Sequence, residues 1–358
     1  MTRAPVLFRV DAGPKTGWEG FWRCMIFAAA LQRRRRPAHF LSQLDPAAAL
    51  LPPMKRAGND WIESRFAAGS REGLDETLRE VRRLQPSTVV LDAPGVPESH
   101  LDALRSAGVA VLSIDSHAAT GFSSNLVLNP MLGPTREEYE VRPGTQLLLG
   151  ARYAMIRPEV RRVRPLRASE PAQPFRVIVA LGDDDLHDQS GELAKHLLNC
   201  PRVGRVDVLV RPHHPGLDAL KAMAEACPDR MEVVTEPGDF PLRISRSHLA
   251  LTAGNSWSLE LACVGVPQLV VVQAEAHWPT AHGLEEAGAA TCLGWHANLS
   301  AGTVRQAVAA LLSDPLERVQ MARAGRKLID GRGPDRLVTA LEIVLHPMAR
   351  PAAMAAAA

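Results

Sequence analysis

Short apolar runs alternate with stretches of helical spacing along most of this chain. Residues 6–10 form the first run, bounded by turn residues, and 20–34 follow with apolar positions three and four apart. The unit repeats. Strands are predicted at 38–41, 88–92 and 109–114, with helices over 74–84 and 100–107. These strand runs are continuously apolar rather than alternating, which predicts burial on both faces, as in a parallel sheet covered by helices. Residues 157–174 carry prolines and charges without an apolar stripe and interrupt the pattern. Beyond them it resumes, with strands at 175–181, 205–210, 231–235, 249–252 and 268–272 and helices at 187–198, 217–226, 256–264, 304–312 and 316–329. The expected fold class is α/β: two doubly wound Rossmann-like domains facing across a cleft. The first is assigned 1–160, a linker 161–174, the second 175–346 and a frayed tail 347–358. Ligands of such domains sit beyond the carboxyl ends of the strands.

Composition narrows the class. At 358 residues the chain is too long for one ordinary core, and 46% hydrophobic with 22% charged residues excludes a disordered or fibrous protein. Lys and Arg number 41 against 39 Asp and Glu, so the overall charge calls for neither nucleic acid nor an anionic membrane. The apolar stretch 24–31 falls far short of the ~20 residues that span a bilayer, and polar sequence rather than a signal peptide precedes it. A cytoplasmic protein without a membrane span is expected. Cys24, Cys200, Cys227, Cys263 and Cys292 are scattered without a C-x-x-C pair, which suits buried thiols and suggests no metal site.

Five places carry candidate chemistry. Residues 11–24 place Gly17 and Gly20 in a loop that opens a helix, where backbone amides can approach an oxygen-rich ligand. Glu19 in that loop is either a general base or a complement to the helix dipole. Residues 252–267 place Gly254, Asn255 and Ser256 at a helix start, suited to a diphosphate, with Trp257 beside them and Glu260 one turn on to accept from ribose hydroxyls. The alternative there is an ordinary capped helix ended by Gly265 and Pro267. Gly182, Asp183, Asp184 and Asp185 offer backbone approach and carboxylates for a cation, or a cap for the next helix. Arg211, His213 and His214 can grip a phosphate or form a proline-bounded turn. His277 follows the strand 268–272 at its carboxyl end. The run Arg33, Arg34, Arg35 and Arg36 reads as a solvated face at a helix carboxyl end.

Phe8, Arg9 and Asp11, followed by Gly17, Arg23 and Cys24, resemble the opening of the UDP-sugar hydrolases of the pseudaminic acid pathway, whose pattern is F-R-x-D, then G-x-G-H-x-x-R-C. Asp115, Asn129, Gly150, Tyr153, Arg157 and Glu159 are similar in order and spacing to that family's first-domain markers. The segments 182–185 and 253–267 are similar to its nucleotide motifs, shared with the peptidoglycan N-acetylglucosaminyltransferase group. The resemblance implies a GT-B fold and hydrolysis of a UDP-linked 2,4-diacetamido-2,4,6-trideoxy hexose to UDP and free sugar, without metal or cofactor. The implied catalytic residues are Asp11, Glu19 and Arg23. Gly17, Gly20, Tyr153, Asn255 and His277 would face the sugar, while Gly182, Asp185, Gly254, Ser256, Trp257 and Glu260 would hold the nucleotide. The family's glycine-histidine pair falls on Glu19 and Gly20, so the histidine expected to activate water is missing. Two alternatives therefore stand beside hydrolysis: a glycosyltransferase, for example in flagellin or surface glycosylation, and an inactive nucleotide-sugar-binding partner subunit of a glycosylation pathway.

Overall fold

A computed structural model describes residues 3–115, 121–182, 185 and 187–348; Asp183, Asp184 and the tail from 349 onward lie outside the described residues. The chain forms two compact units. The first comprises Met1–Pro130, Pro134–Met155 and Arg332–Ala358, the second Met131–Gly133 and Ile156–Gly331.

The first unit contains β1 (Val6–Arg9), α1 (Glu19–Gln32), β2 (Ala38–Ser42), α2 (Ala47–Arg56), β3 (Asp60–Glu63), α3 (Arg71–Leu84), β4 (Thr88–Leu91), α4 (Glu98–Ser106), β5 (Ala110–Ile114), β6 (Leu126–Asn129) and β7 (Gln146–Leu149). Its strands pair in the order β3-β2-β1-β4-β5-β6-β7, all in parallel. The continuous apolar runs have the predicted meaning. Val6, Phe8 and Val10 join one core with Phe21, Phe27 and Leu31 of α1, while Leu7, Leu41, Val89 and Val111 join another with Leu101 and Leu104 of α4. Phe8 stacks on Phe40 at 4.6 Å and meets Phe27 edge-on at 5.9 Å. Each such buried side chain contributes about 1.5–3 kcal/mol.

The second unit runs α5 (Pro158–Val163), β8 (Phe175–Ala180), α6 (Gln189–Leu198), β9 (Val203–Leu209), α7 (Leu217–Ala226), β10 (Met231–Val234), α8 (Phe240–Arg246), β11 (Leu249–Thr252), α9 (Ser256–Val264), β12 (Gln268–Val272), α10 (Trp278–Glu286), β13 (Ala290–Trp295), α11 (Ala301–Ser313) and α12 (Pro315–Leu328). Its sheet is again parallel, ordered β10-β9-β8-β11-β12-β13. The α/β class with two doubly wound sheets is thus as expected. Among the described residues no helix is long and apolar enough to cross a membrane.

Two sequence boundaries need correction. The final helix, α13 (Gly333–Met348), was expected with the second domain but belongs to the first unit, where Leu337, Val338 and Leu341 bury into the α1 core. Gly333 permits the return, because a β-carbon there would stand 2.2 Å from the Ala154 carbonyl oxygen. The expected linker is also ordered secondary structure: α5 leads into a 3-10 turn, Arg164–Arg167, whose arginines replace an apolar stripe. Arg164 donates to the carbonyls of Cys263, Arg326 and Ile329, and Arg167 to those of Ser247 and Gly265. These carbonyls end α8, α9 and α12, where helices leave acceptors unsatisfied and cations are favoured.

Leu337→Ala should therefore cost the first unit about 2–5 kcal/mol in urea unfolding, whereas Leu316→Ala, at an exposed position of the second unit, should change little. Equal effects would remove α13 from the first core.

Candidate functional site

At the carboxyl edge of the second sheet one side chain joins two strand ends. Asn255 precedes α9, and its carboxamide oxygen accepts from the Trp257 amide at 3.1 Å while its nitrogen donates to the Leu181 carbonyl at 2.7 Å. Gly182 makes room for it: a β-carbon at 182 would lie 2.2 Å from Asn255 Nδ2, and its φ of +109° is itself glycine territory. Gly254, at φ +80°, packs against the His277 carbonyl oxygen, and its amide donates to Ser258 Oγ at 3.0 Å. The Gly254 amide and the Asn255 carboxamide nitrogen, two of the donors that the sequence assigned to a diphosphate, are thus engaged with Ser258 and with the end of β8. Ser256 remains partly exposed at the helix start, and His277 is half-buried.

One turn into α9, Glu260 is 4% exposed and wrapped by Arg157. Arg157 Nε donates to both carboxylate oxygens at 2.8 and 3.0 Å, Nη2 donates to Oε2, and the backbone amide to Oε1 at 3.1 Å. Glu260 was expected to take ribose hydroxyls directly; in this structure both of its oxygens accept from Arg157. Trp257 packs on Phe240 with centroids 5.2 Å apart, and both rings lie under two guanidiniums. Arg157 is 5.5 Å from the Trp257 centroid and Arg211 is 5.3 Å from it. Two cations, an aromatic pair, a carboxylate and a helix amino end therefore gather at one edge of the sheet.

Asp185 acts as the helix cap that was one of its two readings. Its oxygens accept from the amides of Gln189 and Ser190 at 2.9 and 2.8 Å, and Oδ2 lies 3.3 Å from His214 Nε2. Burial pushes this carboxyl up, but the hydrogen bonds from His214, Ser190 and Gln189 outweigh it and hold it below its ordinary value. Asp185, Asp188 and His214 are close enough to suggest a metal cluster. However, the Gly216 amide donates to His214 Nδ1 at 3.1 Å, which leaves the proton on Nε2 facing Asp185 rather than a lone pair for a cation.

In the first unit the expected catalytic residues divide into two groups. Asp11 accepts from Arg9 and from the amides of Gln43 and Ala68, the latter two at 2.8 and 3.3 Å, so it ties β1 to the segments that follow β2 and β3. Arg23 is buried and makes a bidentate pair with Asp92, both bonds 2.8 Å. Burial alone would lower Arg23, but Asp92, with Glu19 contributing, raises it above its ordinary value. Gly20 faces the same carboxylate: a β-carbon at 20 would lie 3.0 Å from Asp92 Oδ1. Glu19 opens α1 and is partly exposed. Gly17, at φ +72°, accepts from the Gly13 amide and pinches the loop shut. Tyr153 ends the turn Ala151–Tyr153 and packs, half-buried, on the first core. Glu19, Gly20 and Arg23 therefore gather around Asp92, while Asp11 serves a separate joint.

Sequence reasoning did not single out Asp92, Phe240 or Tyr139. Asp92 had a visible signal, an acidic residue closing an apolar run. Tyr139 had none: its hydroxyl donates to Asp115 at 2.7 Å and accepts from Asn129 at 2.8 Å, joining the ends of β5 and β6.

Two parallel doubly wound sheets, with polar loops gathered at the strand carboxyl ends, define the GT-B class of fold. No family profile matches the chain. Among curated proteins it is similar to the spore coat polysaccharide biosynthesis protein SpsG of Bacillus subtilis (strain 168), 23% identical over 269 residues, covering 74% of this chain and 79% of that protein. Among solved structures it is similar to MurG of Acinetobacter baumannii, with a TM-score of 0.65 and 14% identity over 95% of this chain and 99% of the other. It is also similar to the spinosyn rhamnosyltransferase SpnG complexed with thymidine diphosphate, at 0.64 and 18% over 94% of this chain and all of that one. A third likeness is to the UDP-GlcNAc 2-epimerase of Neisseria meningitidis bound to UDP-GlcNAc, at 0.63 and 12% over 95% of this chain and all of that one. These likenesses concern the fold.

Two outcomes follow from the geometry. Gly20→His, which introduces the histidine found at this place in the pattern of the pseudaminic acid hydrolases, should crowd the Arg23–Asp92 pair and cost about 1–3 kcal/mol on denaturation without creating hydrolysis; a stable variant that gains turnover would contradict this. Because the folded-state pKa of Asp185 lies below its unfolded value of about 4, its contribution to stability is present above that pH and is lost as pH falls through the folded pKa. Urea unfolding of wild type and Asp185→Asn should therefore differ most near neutrality and converge in acid.

Proposed function

We propose that this protein is a glycosyltransferase of the GT-B fold that uses a pyrimidine nucleoside diphosphate sugar, UDP-linked in the simplest case, in the biosynthesis of a surface polysaccharide or glycan. The observation that carries the reading is the cluster of Arg157, Arg211, Trp257, Phe240 and Glu260 at the amino end of α9. A helix amino end beside two guanidiniums suits a diphosphate, and a buried carboxylate suits a ribose diol. The names of the similar proteins, one a rhamnosyltransferase and one a polysaccharide biosynthesis protein, support the same class.

On this reading the bond between the anomeric carbon and the β-phosphate oxygen breaks, and the bonding electrons leave with the nucleoside diphosphate. Arg211 and the α9 amino end stabilise the charge that develops there. An acceptor hydroxyl forms the new bond to the anomeric carbon and gives its proton to a general base. Ribose binding requires Arg157 to release part of its hold on Glu260, so the two residues act together. Trp257 and Phe240 keep the guanidiniums oriented, and Ser256 adds a hydroxyl at the helix start.

Hydrolysis of a UDP-linked 2,4-diacetamido-2,4,6-trideoxy hexose is the second reading, favoured by the first-unit residues Asp11, Arg23, Cys24 and Tyr153 that match the pseudaminic acid hydrolases. Transfer is preferred because position 20 has no imidazole and Asp11 and Arg23 are engaged in structural bonds. A cytoplasmic setting, where nucleotide sugars are made, accompanies either reading.

Calorimetry with UDP, followed by turnover of UDP-sugars with and without candidate acceptors, tests the proposal. Acceptor-dependent release of UDP is expected; free sugar without acceptor would favour hydrolysis, and binding without turnover a partner-subunit role. Glu260→Gln should weaken UDP by roughly 10- to 100-fold, the span of one or two hydrogen bonds to a charged group. Unchanged affinity in that variant would reject the assignment of the ribose site.

A further inference from the structure

At the far end of α9 from Trp257 lies an arginine-lined recess of about 310 Å³ that the nucleotide reading does not use. It is lined by Arg167, Ser169, Glu170, Arg318, Arg323 and Arg326, where the 3-10 turn Arg164–Arg167 meets α12. Four arginines and one glutamate line it, and Arg318 is committed: its Nε and Nη2 bind the two oxygens of Glu170, and its Nη1 donates to the Leu311 carbonyl. Arg326 Nη1 donates to the carbonyls of Arg164 and Arg167 at 3.0 and 3.1 Å. Arg167 gives its two Nη groups to Ser247 and Gly265, while its Nε is buried with no partner. Arg323 is exposed on the rim.

Satisfying helix carboxyl ends explains why Arg164 and Arg167 point inward, since their Nη groups meet orphan carbonyls. It does not explain Arg323, the unpartnered Arg167 Nε or the surplus of positive charge. We infer that this recess is a binding site for a soluble phosphate ester, separate from the nucleotide site. A phosphate group supplies two negative charges and three acceptor oxygens, and guanidinium forks match its geometry. The volume admits the phosphate together with a small organic substituent, and Ser169 adds a hydroxyl at the wall.

The electrostatics point the same way. Burial pushes Arg167 down to about 10, with Glu170 opposing and Arg326 adding to the shift. Arg326 is lowered by burial and then by Arg164. Cations that depress one another in a recess short of carboxylates are the groups a bound dianion stabilises.

The inference is independent of the proposed reaction and is tested on the full chain with inorganic phosphate as the probe, by calorimetry at constant ionic strength. Saturable binding is expected, weakened about tenfold in Arg323→Ala and abolished in Arg323→Glu, with UDP affinity the same in all three proteins. Arg305→Glu, an equal charge change at an exposed position of α11, should leave phosphate binding intact. The site is rejected if wild type takes up no phosphate at concentrations of tens of millimolar, if Arg323→Glu binds as wild type does, or if Arg305→Glu weakens binding as much as Arg323→Glu.

Discussion

The carboxamide of Asn255 is the joint on which the carboxyl edge of the second unit's sheet depends. By donating to Leu181 and accepting from the Trp257 amide, it fixes the end of β8 against the start of α9. It works only because Gly182 lacks a side chain and Gly254 adopts a positive φ. Trp257, Glu260 and Ser258 then take their places from the first turns of a helix whose start cannot shift. A buried amide with its donor and acceptor both paired is rigid as well as stable, whereas an unpaired one would cost about 1–3 kcal/mol. The same arrangement engages the Gly254 amide and the Asn255 carboxamide, so that in the proposed reading a ligand at the start of α9 meets side chains instead: Arg157, Arg211 and Glu260.

The fold was legible in the chain because its central strands are buried on both faces. Val6, Leu7 and Phe8 show no alternation, nor do Val89 and Val90, and each run lies between helices that supply the opposite core. Elements without that signature were missed. β3 is half-exposed along its length, α2 carries Pro52 and Pro53 in its interior, and β7 is buried at one position of its four. The boundary errors share another cause. The segment 157–174 has no apolar stripe because arginine side chains reaching helix-end carbonyls replace one, a tertiary arrangement that periodicity does not record.

The site was legible in part for a similar reason. Glycine, asparagine and glutamate after an apolar run draw attention to the start of α9, where Asn255 and Glu260 are buried in hydrogen bonds, and a helix cap is one of the two readings of Asp185. Which atoms are engaged depends on partners far away in sequence. Arg157 and Glu260 are 103 residues apart, and Arg23 and Asp92 are 69 apart. Motif spacing says nothing about such pairs. Glycine at position 20 has a physical context: a β-carbon there would lie 3.0 Å from Asp92 Oδ1, so its absence leaves the Arg23–Asp92 pair undisturbed.

The return of α13 to the first unit has a consequence for the order in which the protein is completed during synthesis. Leu337, Val338, Ala340 and Leu341 fill a core whose other buried members lie before residue 156, yet they emerge from the ribosome only after the long excursion Ile156–Gly331. The second unit, almost contiguous in sequence, has all its parts available earlier. The face of α1 that awaits α13 stays uncovered through that interval, and a nascent chain in this state leaves part of the first core open to chaperones or to aggregation until α13 docks.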